Sequence, residues 1–134
     1  MGLEISRRER EGVVILDLEG RLTAGEETAR LREALRALAA SGSPRVVLNL
    51  QGVDYIDSTG LGTLVIGYTS LKKAGGKLAL LHLNRRHIEL LVFTKLATVF
   101  DIFNDEQEAV NSFFPDRAIR RFDILSFLQE QGQK

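Results

Sequence analysis

The sequence predicts a single α/β domain, a mixed and mostly parallel β-sheet with crossover helices and an extra C-terminal helix. Three observations carry this. Short apolar runs alternate with longer stretches whose apolar residues recur at helical spacing, the pattern of strand–helix–strand units. The run Val46-Val47-Leu48-Asn49-Leu50 is near-continuously apolar, as a strand covered on both faces is. A polar first strand leads through Gly12 into a strongly apolar second one, which puts an antiparallel element at the start.

In chain order, Glu4 to Glu9 reads as a polar edge strand and Val13 to Leu18 as a stronger one ended by Gly20. Thr23-Ala24-Gly25-Glu26 fits a capping box. It opens a helix with Leu31, Leu35 and Leu38 on one face and Arg30, Arg32, Glu33 and Arg36 largely outside. Ser41-Gly42-Ser43-Pro44 stops it. After the strand at 46–50, the segment Val53-Asp54-Tyr55-Ile56 leads into a helix from about Gly60 to Lys73, closed by Lys72-Lys73 and Gly75-Gly76. Lys77 to Leu83 is the next strand. Asn84 then caps a helix whose inner face carries Ile88, Leu91, Val92 and Leu96. Val99 to Phe103 forms a last short strand, and Asn104-Asp105-Glu106-Gln107 starts a helix with Ala109, Val110 and Phe113. The main domain is thus expected over 1–114. A C-terminal extension, 115–134, holds Ile124, Phe127 and Leu128 at helical spacing and is expected to dock on the domain or on a second copy.

Composition narrows the function. Lys plus Arg and Asp plus Glu are equal at 18 each, so no global field draws the chain to nucleic acid or an anionic membrane. With no cysteine, disulfides, thiolate zinc sites and cysteine nucleophiles are excluded. Met1-Gly2 with Ser6 fits the loose myristoylation pattern, but Leu3 to Ile5 reads better as strand. There is no apolar run of signal-peptide or bilayer-spanning length, so a cytoplasmic location is expected. The basic clusters Arg7, Arg8, Arg10 and Arg117, Arg120, Arg121 alternate with acids and read as solvated surface. Phe100, Phe103, Phe113 and Phe114 read as core or as an apolar seam, an exposed patch there implying a homodimer contact.

One stretch carries the chemistry. Asp57-Ser58-Thr59-Gly60-Leu61-Gly62 lies where an apolar run ends and a helix begins. A hydroxyl there sits beside an acid, ahead of two glycines, at the positive end of the following helix. The simplest reading is an ordinary N-cap; the alternative is a site that holds a phosphate, bound or written onto Ser58. Other chemistries fit poorly. A nucleophile elbow needs glycine two residues before the serine, where Ile56 stands. His82 and His87, the only candidate bases, read as partly exposed structural residues. Gly75-Gly76-Lys77 lacks the phosphate-loop spacing, since Leu78 follows the lysine and Leu71 takes the first glycine's place. No metal-ligand spacing is seen, and no cofactor is expected.

The run Val53 to Leu64, centred on Asp57-Ser58-Thr59-Gly60-Leu61-Gly62, resembles the signature of the STAS family, which includes the bacterial anti-sigma factor antagonists. Val14 to Leu18 with Gly20-Arg21-Leu22, Val46 to Leu50, and Gly75-Gly76-Lys77-Leu78 match in order, so the resemblance covers about residues 3 to 113. It implies a regulator without catalysis of its own. The unmodified form binds a serine-kinase anti-sigma factor and frees the sigma factor; phosphorylation at the position of Ser58 ends the complex, and a PP2C-type phosphatase resets it. Thr59 is the alternative acceptor. The implied partner face comprises Arg21, Thr23, Asp57, Ser58, Thr59, Gly60, Leu61 and Gly62, where Gly60 and Gly62 let a kinase approach the backbone. At Thr23 the chain departs from the acid common in the family. The alternative function is a STAS scaffold subunit of a signalling assembly, or of a lipid or anion transporter, without a phospho-switch.

Overall fold

In the computed structural model, which describes residues 2–42 and 44–132 and only the backbone of 130–132, β1 (Leu3–Arg10) and β2 (Val13–Leu22) form an antiparallel hairpin. Its two-residue turn, Glu11-Gly12, has positive φ at both positions, the geometry whose twist matches that of paired strands. From β2 the chain alternates strand and helix: α1 (Glu26–Ala40), β3 (Arg45–Ile56), α2 (Ser58–Lys73), β4 (Lys77–Leu81), α3 (Arg85–Phe93), β5 (Asp101–Phe103). Then come α4 (Glu106–Asn111) and α5 (Ile124–Gly132). The sheet order is β1-β2-β3-β4-β5, with β2 to β5 parallel. A sheet that grows in one direction by crossovers of one hand lays their helices on one face. Leu31, Leu35 and Leu38 of α1, Leu61, Leu64 and Leu71 of α2 and Leu91 of α3 accordingly share one core with Leu16, Leu48, Leu50 and Leu80. The other face holds a smaller cluster, Val13, Ile15, Val47, Ala79, Leu81 and Phe103, covered by Ala109 and Val110 of α4.

Several expected boundaries move, each for a physical reason. β2 does not end at Gly20; register shifts at Asp17/Glu19 and Gly20/Arg21 absorb the irregularity and pairing continues to Leu22. β3 is one strand of 12 residues that reaches Ile56. β4 stops at Leu81, because His82 takes a positive φ. β5 begins only at Asp101, since Phe100 is turned into the core with its ring edge-on to Tyr68. Val92, expected inside, is exposed. The Thr23 capping box is absent: Gly25 is the N-cap of α1 and makes no side-chain cap bond.

The basic clusters do more than solvate a surface. Arg8 donates to Asp17 and Glu106, and Arg10 to Glu106 and Gln107, which ties the hairpin to α4. Arg117 pairs with Glu11 and Arg121 with Asp101. These bonds fasten the chain after Pro115 along the sheet, where the Phe122 N–H donates to the carbonyl of Ile102 on β5 and Phe122 and Ile124 pack against the core. Phe113 and Phe114 are half-buried beneath Lys77, Arg45 and Arg117.

Two predictions follow from this packing. A β-carbon on Gly67 of α2 would meet Leu35 Cδ1 of α1 at 2.5 Å, so the helices cross too closely for a branched side chain. Gly67→Val should lower the urea unfolding free energy by about 1–3 kcal/mol. The Arg8 and Arg10 guanidiniums hold the Glu106 carboxyl down to about 2, from an ordinary 4.5. A depressed folded value means that this stabilisation is complete above about 4.5 and is lost as pH falls toward 2. Glu106→Gln should therefore flatten the pH dependence of thermal stability in that window and leave the rest of the profile unchanged.

Candidate functional site

The site is built at the junction of β3 and α2. Asp57, extended in backbone, is the N-cap: its Oδ1 accepts the Gly60 N–H at 2.8 Å. Its other oxygen, Oδ2, accepts the Ala24 N–H at 2.9 Å, so one carboxylate joins the β2–α1 loop to the start of α2. Behind it the Asp57 N–H donates to the Leu22 carbonyl at 3.1 Å. These bonds to the carboxylate, that of Gly60 foremost, hold the Asp57 carboxyl below the usual carboxylate range.

With the cap supplied by Asp57, neither Ser58 nor Thr59 serves as one. Ser58 is the first residue of the helix, exposed, and among the described residues no hydrogen bond engages its hydroxyl. Thr59 is also exposed, and its carbonyl accepts the Thr63 hydroxyl. The other expected contact residues divide. Arg21 is exposed and Thr23 and Gly62 are half-buried at the same end of the sheet. Gly60 and Leu61 point inward. A β-carbon on Gly60 would overlap the Leu22 carbonyl oxygen, and the Leu61 side chain belongs to the core. Close packing of the turn against β2 thus requires glycine at position 60, whereas Gly62 has open space around it.

Sequence reasoning missed two exposed apolar residues here. Ile66, 47% exposed, extends the outer stripe Thr59–Gly62–Ile66–Thr69 of α2. The signal was available, since Ile66 falls outside the spacing of Leu64, Gly67 and Leu71. Tyr55 is half exposed immediately before the turn. His87, expected to be partly exposed, is instead 2% exposed. It forms a capping box with Asn84, its Nδ1 accepting the Asn84 N–H at 3.2 Å while Asn84 Oδ1 accepts the His87 N–H at 2.8 Å. Burial pushes its pKa down to about 4, so the ring is neutral near pH 7 and is used in capping.

A sequence model of the STAS domain matches residues 4–109. The chain belongs to the STAS domain family. The anti-sigma-B factor antagonist of Bacillus subtilis is 33% identical over 102 residues, covering 76% of this chain and 92% of the relative. Among solved structures, an anti-sigma factor antagonist from Mycobacterium paratuberculosis has a TM-score of 0.71 at 22% identity, covering 84% of this chain and 94% of that one. The anti-sigma factor antagonist SpoIIAA, solved in its unphosphorylated form, has a TM-score of 0.63 at 17% identity over 81% of this chain and 96% of its own. The structure of Bacillus SpoIIAA in the phosphorylated form gives 0.65 at 18% over 81% and 98%. At these identities the structures speak to the fold, and they agree with the five-stranded mixed sheet seen here. Among the described residues no helix is long and apolar enough to cross a membrane.

The double role of Asp57 is testable. Asp57→Ala removes the cap and the tie to Ala24 and should destabilise the fold by about 1–2 kcal/mol, whereas Asp57→Asn, still an acceptor, should lose less. Thermal melts of both variants at neutral pH decide this; equal losses would mean that the charge, and not the acceptor geometry, holds the turn.

Proposed function

We propose that this STAS domain is an anti-sigma factor antagonist switched at Ser58. Its unphosphorylated form binds a serine-kinase anti-sigma factor through the Ser58 turn, Arg21, Thr23 and the outer stripe of α2, and the sigma factor is released. Transfer of the ATP γ-phosphoryl group to Ser58 Oγ, with loss of the hydroxyl proton, ends the complex. A PP2C-type phosphatase hydrolyses the phosphoserine and resets the cycle.

The observation that carries this reading is the division of labour at the turn. Asp57 does the capping, which leaves the Ser58 hydroxyl exposed and unengaged at the first position of α2. A phosphate there adds about −1.5 to −2 charges. Within the domain the helix N-terminus offsets that charge by roughly 0.3–1 kcal/mol. Against a partner it meets desolvation and any like charge on the opposing surface, so the complex loses more than the fold does. The names of the relatives support the regulatory role, and a protein of this fold that is known in both unphosphorylated and phosphorylated forms supports the switch.

The test is intact mass and peptide mapping after incubation with ATP and the candidate anti-sigma kinase encoded nearby in the same genome. A single phosphate on Ser58 supports the switch. A phosphate on Thr59 would move the acceptor by one residue. No phosphate from kinases active on other substrates would favour a scaffold module without a switch. In binding assays Ser58→Ala should hold the kinase as the parent does. Ser58→Asp should bind about 10- to 100-fold more weakly while its melting temperature stays at or above the parent's. Loss of binding together with loss of fold would count against charge repulsion as the cause.

A further inference from the structure

We propose that the cap of α3 is an acid-released latch: the neutral ring of His87 holds the first turn of the helix, and protonation expels the ring and frees that turn. The geometry of the cap carries this. A capping box needs an acceptor at the third helical position, a part usually taken by the side chain of Glu or Gln. Here an imidazole takes it. His87 Nδ1 accepts the Asn84 N–H at 3.2 Å, and Asn84 Oδ1 accepts the His87 N–H at 2.8 Å. An imidazole nitrogen accepts only while it carries no proton. Protonation would set one N–H against another, and the Asn84 N–H would lose its acceptor.

The surroundings do not accommodate the charge in place. The ring is almost wholly buried, and Nε2 has no hydrogen-bond partner among the described residues. The Val53 carbonyl and the Asp54 carboxylate of β3 favour the charged form, but neither bonds to Nε2. Two further cations, Arg85 and Arg86, already occupy the first turn, at the positive end of the helix. A second proton thus creates a buried cation with two N–H donors and no acceptor, and such a group must leave or give the proton up. Room to leave lies alongside. A cavity of about 410 Å³ borders His87, between Asp54, Tyr55 and Ile56 of β3 and Arg86, Glu89 and Leu90 of α3. Of its two acids, Glu89 is held by Arg85 at 3.0 Å, and Asp54 makes no ion pair among the described residues. The ring can therefore move out toward Asp54 without disturbing the core beneath.

The direction and the window follow from the burial. Loss of water around the ring, the largest influence, pushes its pKa from 6.5 down to about 4. With the folded value depressed, the capped form is at full strength above about 6.5 and is undermined progressively as pH falls toward 4. Glu106 acts lower, between about 4.5 and 2, so mild acid addresses the histidine first. The cavity wall ends at Ile56, the residue before Asp57, which sets the latch beside the turn that carries Ser58.

The experiment is amide hydrogen exchange of the full chain by NMR between about pH 7 and about pH 5, corrected for the intrinsic rate. The opening constant at the Asn84, His87 and Ile88 amides should rise about 10- to 30-fold over that range. At the acid end it should exceed the opening constant of Leu48 and Leu80 in the sheet, whose amides exchange only through global unfolding. His87→Gln keeps an acceptor at the third position without a proton to gain, so its α3 amides should change by less than about twofold. The ring signals missing from that variant identify His87 in the parent and should titrate together with the loss of protection. Protection of α3 that is unchanged by pH overturns the proposal, and so does a dependence retained in His87→Gln. Equal opening constants at α3 and at Leu48 and Leu80 overturn it too, because the histidine then senses global unfolding alone. A ring that becomes charged while the cap amides stay protected is likewise against it. The parent readouts stand by themselves if His87→Gln fails to fold. Neither kinase nor phosphate enters, so this result and that of the Ser58 switch are separate.

Discussion

The site rests on one carboxylate. Asp57 accepts from Gly60 with one oxygen and from Ala24 with the other, so the start of α2 and the loop before α1 are held together as a unit. The close approach of Gly60 to the Leu22 carbonyl completes the contact from behind. The exposure of the Ser58 hydroxyl follows from this arrangement. Because an acid is the cap, the serine beside it is released from structural duty, and because the two loops are tied, Arg21 and Ser58 lie on one rigid rim. A helix start capped by its own serine would have had to choose between holding the fold and being modified.

The two faces of the sheet divide the remaining work. Sequential parallel strands put α1, α2 and α3 on one side, where they share the larger core. The other side is closed by a short α4 over a smaller apolar cluster, and its polar margin is closed by ion pairs from Arg8, Arg10 and Arg117. A domain with balanced charge can thus use charge locally, as a fastening between elements, without a field that attracts polyanions.

What was legible in the sequence was whatever periodicity and local chemistry encode. The alternating pattern predicted the mixed sheet, Asn84 predicted the cap of α3, and Leu31, Leu35 and Leu38 predicted the buried face of α1. The errors fell where a distant residue overrides a local signal. Thr23 looked like a cap, but Gly25 takes a positive φ outside the helical region, so α1 starts only at Glu26, and the Ala24 N–H is held by Asp57, 33 residues on. His87 looked exposed beside two arginines, but its own capping box draws the ring inward. Gly60 and Gly62 looked alike in sequence and differ only in what lies behind them, a carbonyl in one case and open space in the other. The arginines of the two termini read as surface because some of the acids they meet, Glu106 for Arg8 and Arg10 and Glu11 for Arg117, are about a hundred residues away in the chain. Even so, the central motif was legible, since it is contiguous.

The arm that crosses β5 has a consequence for how this domain is addressed. Ile102 presents its backbone outward from a strand of three residues, and Phe122 occupies that position. At the opposite margin β1 carries Arg7, Arg8, Glu9 and Arg10, charges that discourage a further strand. Strand addition, by which many extended peptides are recruited to open sheets, is therefore disfavoured at both margins. That leaves side chains on turns and helices as the more open route to this domain, and there one added or reversed charge changes what can bind.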